Sequence, residues 1–120
     1  MRLLLQRVTE ASVRVDEEIV GQIDMGYLLF LGVMQGDTSA QAELLAEKVT
    51  KVRLFDGEDG KINDQSIVEI GGSILVISQF TLAGRLEKGN RPDYSHAAPP
   101  DDAKVLYEYF IRKLEQLGVK

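Results

Sequence analysis

The stretch Ile74-Leu75-Val76-Ile77-Ser78-Gln79-Phe80-Thr81-Leu82 opens as an apolar, β-branched run and closes with three polar side chains in four residues. A run of that kind reads as a strand covered on both faces. Continued as a strand, it puts Gln79 and Thr81 on one face and Ser78, Phe80 and Leu82 on the other. Ser78, Gln79 and Thr81 bring two hydroxyls and an amide, all able to donate and accept hydrogen bonds. Polar groups at the end of a covered strand need partners. Either neighbouring loops supply them or a ligand does.

Working outward, a chain of 120 residues holds one small domain with a single core. Its 44% hydrophobic and 28% charged residues are an ordinary globular balance. Cys is absent, which excludes disulfides and thiolate zinc sites, and a lone histidine, His96, excludes a multi-histidine metal centre. The apolar run at Leu3-Leu4-Leu5 is too short for a signal peptide and no stretch approaches a membrane span, so a cytoplasmic location is expected. With 14 basic against 19 acidic side chains, the net charge of −5 argues against a general electrostatic grip on nucleic acid. Local basic patches are compatible with it.

Residues 2–15 read as strand, with Val13 and Val15 alternating with Ser12 and Arg14. Asp16-Glu17-Glu18 is a turn, and Ile19 to Ile23 the returning strand of a hairpin. After the Asp24-Met25-Gly26 turn, Tyr27 to Val33 is a second buried strand. Thr38 with Gln41 fits a capping box, with Asp37 at the positive end of the helix dipole. The helix that follows carries Leu45, Val49, Val52 and Phe55 as a core-facing stripe. Asp56 to Lys61 is a turn-rich loop without the ligand order of a calcium loop. Ser66 to Ile70 reads as a strand joined to the opening stretch by a tight Gly71-Gly72 turn, the clearest hairpin in the chain. Residues 83–100 have no period and hold Arg85, Lys88 and Arg91, then Tyr94 and His96; such a loop suits a phosphate and a stacked base, or is a surface flap. A last helix starts past Pro100 at Asp101-Asp102, shows an apolar stripe through Val105-Leu106, Tyr109-Phe110-Ile111, Leu114 and Leu117, and ends at Gly118 as C′ residue.

No serine–histidine–acid triad, phosphate-binding loop or dinucleotide fingerprint is present. Ser78, Gln79, Thr81 and nearby backbone groups can orient a substrate and polarise a carbonyl, but no base accompanies them. Such a set requires an activated ester, or a substrate that supplies its own hydroxyl.

Ser78-Gln79-Phe80-Thr81-Leu82 resembles the signature of the D-aminoacyl-tRNA deacylases. Gln6-Arg7-Val8, Ala11-Ser12-Val13, Leu31-Gly32-Val33 with Gly36-Asp37, Gly60-Lys61 with Asn63, Lys88-Gly89 with Arg91-Pro92, and Ala97-Ala98-Pro99 follow in that family's order and spacing. The resemblance runs from residue 1 to about residue 118. It implies an α/β arrangement of the α+β kind, an antiparallel, barrel-like sheet with two helices, assembled as a homodimer. The implied activity is hydrolysis of the ester joining a D-amino acid, or glycine, to tRNA, without a cofactor or metal. It places Thr81, Gln79 and Ser78 in the catalytic set, with Thr81 as nucleophile or with the backbone and the tRNA's terminal 2′-hydroxyl in that role. Phe80 and Gln79 would line the pocket for the terminal adenosine and aminoacyl ester, Leu82, Ala98, Lys88, Arg91 and Arg7 would complete the substrate-binding set, and Arg7 would support the neighbouring loop. Two positions depart from the pattern, Ala83 for an aromatic residue and Ile62 for Met. Family members also continue past the position of Lys120 with two strands and an Asn-x-Gly-Pro-Val-Thr motif, whose Gly-Pro enters the partner's pocket to reject L-amino acids. Here the prolines are Pro92, Pro99 and Pro100, none after a glycine, so a C-terminally truncated single deacylase domain is expected. The competing expectation is a non-catalytic nucleic-acid-binding or assembly module that keeps the pocket.

Overall fold

The computed structural model describes residues 1–87 and 89–119. In order, the chain forms β1 (Arg2–Val8), β2 (Ala11–Val15), β3 (Glu18–Ile23), β4 (Gly26–Gly32), α1 (Ser39–Lys51), β5 (Arg53–Phe55), β6 (Gln65–Ser66), β7 (Ser73–Ser78), a 3-10 turn (Phe80–Ala83) and α2 (Pro100–Gln116). The α+β class with two helices is as expected. The run read as one strand over residues 2–15 breaks at Thr9-Glu10 into β1 and β2. The β2–β3 hairpin turns on Asp16 and Glu17, both left-handed at φ 52° and 70°, as the twist of a two-residue hairpin requires.

The main sheet has the order β1-β4-β7, so the buried middle strand is β4, not the 74–82 stretch. Tyr27, Leu29 and Leu31 are 0% exposed, whereas residues 73–77 are half-buried and Ser78 is exposed. An apolar run alone does not tell a middle strand from an edge one. β1 runs antiparallel to β4 but β7 runs parallel to it, so the sheet is mixed. Parallel pairing demands a long crossover, here α1, β5 and β6. The hairpin expected across Gly71-Gly72 is accordingly absent. Gln65–Ser66 pairs with β5, and residues 67–71 coil into turns closed by the Gly71 amide on the Val68 carbonyl (3.1 Å) and the Gly72 amide on the Ile67 carbonyl (3.0 Å). Gly26 is what lets β7 dock: a Cβ there would stand 1.7 Å from the Ser73 carbonyl oxygen.

Both helices cover one face of this sheet. Register puts Leu3, Leu5, Ile74 and Val76 on the same side as Tyr27, Leu29 and Leu31, against Ala42, Ala46 and Val49 of α1 and Phe110 and Leu114 of α2. The Thr38–Gln41 capping box is present, with the Thr38 amide donating to Gln41 Oε1 at 2.7 Å. α1 stops at Lys51, earlier than its expected stripe, so Val52 is the extended cap and Phe55 belongs to β5, stacked on Tyr27 with centroids 5.1 Å apart. On α2 the stripe is narrower than expected, since Val105 is exposed. Gly118 (φ 98°) closes the helix as expected. Its amide and that of Val119 cap the carbonyls of Glu115 and Leu114, each at 3.1 Å.

Phe110 sits where α1, α2 and the sheet meet, so Phe110→Ala is expected to lower unfolding free energy by about 3–5 kcal/mol in denaturant titration. Exposed Val105→Ala is expected to leave it within about 0.5 kcal/mol.

Candidate functional site

The extended backbone ends at Ser78, whose neighbour Gln79 makes the last rung, its amide 2.8 Å from the Leu31 carbonyl. The chain then tightens into the 3-10 turn, with the Leu82 amide on the Gln79 carbonyl at 3.3 Å and the Gly84 amide on the Thr81 carbonyl at 3.0 Å. The strand alternation expected through Leu82 therefore stops at Ser78. Leu82 folds back over Gly32, where an added Cβ would come within 2.8 Å of Leu82 Cβ. Phe80 is pushed outward, 62% exposed, and meets the Tyr94 ring edge-on at 5.4 Å and 67°.

Tyr94 belongs to a second wall, residues 94–98, held to the chain after β4. The Gln35 amide donates to the His96 carbonyl (2.8 Å) and the Ala98 amide to the Val33 carbonyl (2.9 Å). The opening turns of α2 form the third wall. There Tyr107 donates its hydroxyl to the Val76 carbonyl at 2.8 Å, and burial raises its pKa, keeping it a neutral donor at physiological pH. Between the walls lies a cavity of about 700 Å³, lined by Ser78, Phe80, Gln35, Tyr94, residues 97–100, Ala103, Lys104 and Tyr107. Lys104 is the one charged side chain in that lining, and no carboxylate joins it.

Of the expected site residues, the fold brings Ser78, Phe80 and Ala98 together around this cavity. Gln79 and Thr81 lie outside the lining and bond to each other, the Gln79 amide donating to Thr81 Oγ1. Leu82 packs inward on Gly32, and Arg91 is exposed away from the cavity. Lys88 lies outside the described residues. Arg7 is not among the residues that line this cavity. It is opposite Tyr27, whereas Ser78 is opposite Leu31, which sets the two about 13 Å apart along β4. Its guanidinium donates to the Leu54 carbonyl at 2.7 Å and so steadies β5. Gln35, Lys104 and Tyr107 were not singled out by sequence. Lys104 and Tyr107 stand three apart on α2, a shared-face spacing that becomes meaningful only once the face they share is known to border β7.

The cavity offers donors but no evident base. The Phe80 and Thr81 amides open the turn without helical partners, and Gln79 makes no side-chain cap there. Of the two residues Phe80 alone lines the cavity, and its amide with the Ser78 hydroxyl can polarise an ester carbonyl there. His96 does not line the cavity; its Nδ1 stands 3.4 Å from Ser95 Oγ.

A family model described as D-Tyr-tRNA(Tyr) deacylase matches residues 4–120. The chain belongs to the D-aminoacyl-tRNA deacylase family. It is 49% identical over 120 residues to the D-aminoacyl-tRNA deacylase of Thermotoga petrophila, covering all of this chain and 80% of that one. With the D-aminoacyl-tRNA deacylase of Thermomicrobium roseum it shares 51% identity over 119 residues, 99% of this chain and 77% of that one. Among solved structures, the c-Myc DNA Unwinding Element Binding Protein superposes with a TM-score of 0.93 at 36% identity, over 98% of this chain and 78% of that one. A probable eukaryotic D-amino acid tRNA deacylase superposes at 0.80 with 18% identity, over 95% and 66% of the two chains, a likeness of fold.

The wall at 93–96 carries a pH-dependent restraint in this deacylase. The Ser95 amide donates to Asp93 Oδ1 at 2.9 Å, which with the nearby His96 and Arg85 holds the Asp93 carboxyl below its usual pKa. A depressed carboxyl pKa adds order above the unfolded value of about 3.9 and loses it as pH falls through the folded value. Exchange of the Ser95 amide should therefore quicken, after correction for intrinsic rates, below about pH 4. Asp93→Asn should remove that pH dependence.

Proposed function

We propose that the cavity between the 3-10 turn, residues 94–98 and α2 receives the 3′-terminal adenosine and aminoacyl ester of a charged tRNA. The protein is a D-aminoacyl-tRNA deacylase: it hydrolyses the ester, releasing the D-amino acid and free tRNA, a proofreading step in translation. The observation that carries this reading is near-50% identity with named deacylases over essentially the whole chain, with the Ser78–Leu82 motif at the mouth of the one cavity that Ser78, Phe80 and Ala98 share. In this reading the exposed Phe80 ring, braced by Tyr94, stacks on the adenine. The Phe80 amide and the Ser78 hydroxyl bind the carbonyl oxygen as negative charge develops on it. Water adds to the carbonyl carbon, the bond to the ribose oxygen breaks, and that oxygen leaves with a proton. The substrate's own 2′-hydroxyl relays the proton, consistent with a lining that holds no carboxylate or histidine. Thr81, tied to Gln79, shapes the turn instead of attacking. Glycyl-tRNA, lacking a side chain, is a second substrate.

We further propose that the 120 residues belong to one deacylase domain that pairs with a second copy in the cytoplasm. Pairing is supported by apolar side chains on the sheet face opposite the helices and on the adjoining hairpin, among them Leu4, Ile19 and Val20 at 55%, 48% and 62% exposure. Among the described residues no helix is long and apolar enough to cross a membrane. A binding module without turnover is the less favoured reading: the net charge is −5 and the cavity lining contributes one cation.

Single-turnover assays with D-Tyr-tRNA and L-Tyr-tRNA test the activity and its chirality together. The D-ester should be cleaved, and a folded chain that cleaves neither would defeat the hydrolase reading. Phe80→Ala should weaken binding of an adenosine analogue by about 1–3 kcal/mol. Thr81→Ala should keep the single-turnover rate within about tenfold of the parent chain, whereas a loss of about a thousandfold or more would make its hydroxyl the nucleophile.

A further inference from the structure

Arg2, the first residue of β1, stands opposite Gly32 at the end of the sheet where the site lies. Its Nη1 donates to the Leu82 carbonyl at 2.8 Å. Leu82 is the third of the four residues of the 3-10 turn, and a carbonyl so near a helical end has no partner within the helix. The turn is short, lacks a side-chain cap at its start, and presents to the cavity Phe80, whose amide has no partner among the described residues. What restrains it from outside is the Gln79 rung on Leu31, the contact of Leu82 with Gly32, and this guanidinium. Among the described residues Arg2 forms no ion pair, so its charge is directed at that carbonyl.

The same strand end reaches the opposite wall. The Met1 ammonium pairs with Asp37 Oδ2 at 2.7 Å, and that carboxylate also takes the Met34 amide at 2.7 Å. Met34 bridges to Ala97, and Gln35 lines the cavity. One end of β1 thus ties both walls of the site to the sheet.

We propose that Arg2 is a positioning residue for the deacylation, acting through the Leu82 carbonyl to hold the turn that presents Phe80 and its amide. The assignment rests on the deacylase reading of the site. Arg2 is solvent-exposed and outside the core, so replacing it spares the fold. The chain as it stands, Arg2→Ala and Arg2→Lys are compared by single-turnover hydrolysis of D-Tyr-tRNA at saturating enzyme and by amide exchange of the free proteins. Arg2→Ala is expected to slow hydrolysis about tenfold and to quicken exchange at Leu82 and Gly84, with no change in the core amides of β4. Arg2→Lys, which can still reach the carbonyl, should restore most of both. An unchanged rate and unchanged exchange in Arg2→Ala, a loss that Arg2→Lys does not mend, or faster exchange across β4 as well would each overturn the assignment. An inactive parent chain would defeat the deacylase reading instead, and the exchange comparison would then decide by itself whether Arg2 holds the turn.

Discussion

The close approach of β7 to β4 is the constraint from which the rest of the structure follows. It is possible because Gly26 leaves room for the Ser73 carbonyl where any side chain would collide with backbone. It is parallel, which obliges the chain to leave the sheet after β4 and cross over it through α1 before returning. That crossover covers Tyr27, Leu29 and Leu31 and gives β4 its burial. It also brings the end of β7 beside the end of β4, so Ser78 and the turn after it emerge next to Val33, Met34 and Gln35. At that end a second glycine, Gly32, accommodates Leu82 and turns the chain aside.

A site built at a strand end in this way is made largely of backbone. The hydroxyls and amide that stood out in the motif are divided: Ser78 faces the cavity, while Gln79 and Thr81 satisfy each other outside it. What remains inside is a set of neutral donors, an aromatic pair and one ammonium group. Neutral donors fixed in place are suited to binding charge as it develops on a carbonyl oxygen, and they cannot abstract a proton. An aminoacyl ester is activated enough for such a site and brings a neighbouring hydroxyl with it. The lack of a side-chain base is thus a property of the substrate as much as of the enzyme.

The same economy explains why the restraints around the site matter. A four-residue 3-10 turn has little cohesion of its own, because its hydrogen bonds are few and poorly aligned. Its geometry is set by what grips it from outside: a rung on Leu31, Gly32 beneath Leu82, and Arg2 on the Leu82 carbonyl. The wall at 94–98 is likewise held by bonds to residues 33–35. Both walls lean on the β1–β4 sheet end.

By itself the sequence determined several caps and turns and the family. Thr38 with Gln41 marked the start of α1, Pro100 and Gly118 bracketed α2, and the Asp16–Glu17 turn joined β2 to β3, because caps and turns are settled by residues within a few positions of one another. The order of short motifs around Ser78–Leu82 identified the deacylases, since a motif is legible without knowing where it lies in space. Tertiary structure alone decided that β4 and not β7 is the middle strand, that β7 runs parallel to it, and that Arg7 lies at the far end of the sheet from Ser78. It also decided that Lys104 and Tyr107 border the cavity while Thr81 does not. Each of these depends on which segments, tens of residues apart, meet and in which direction, and periodicity along the chain carries no record of direction across it.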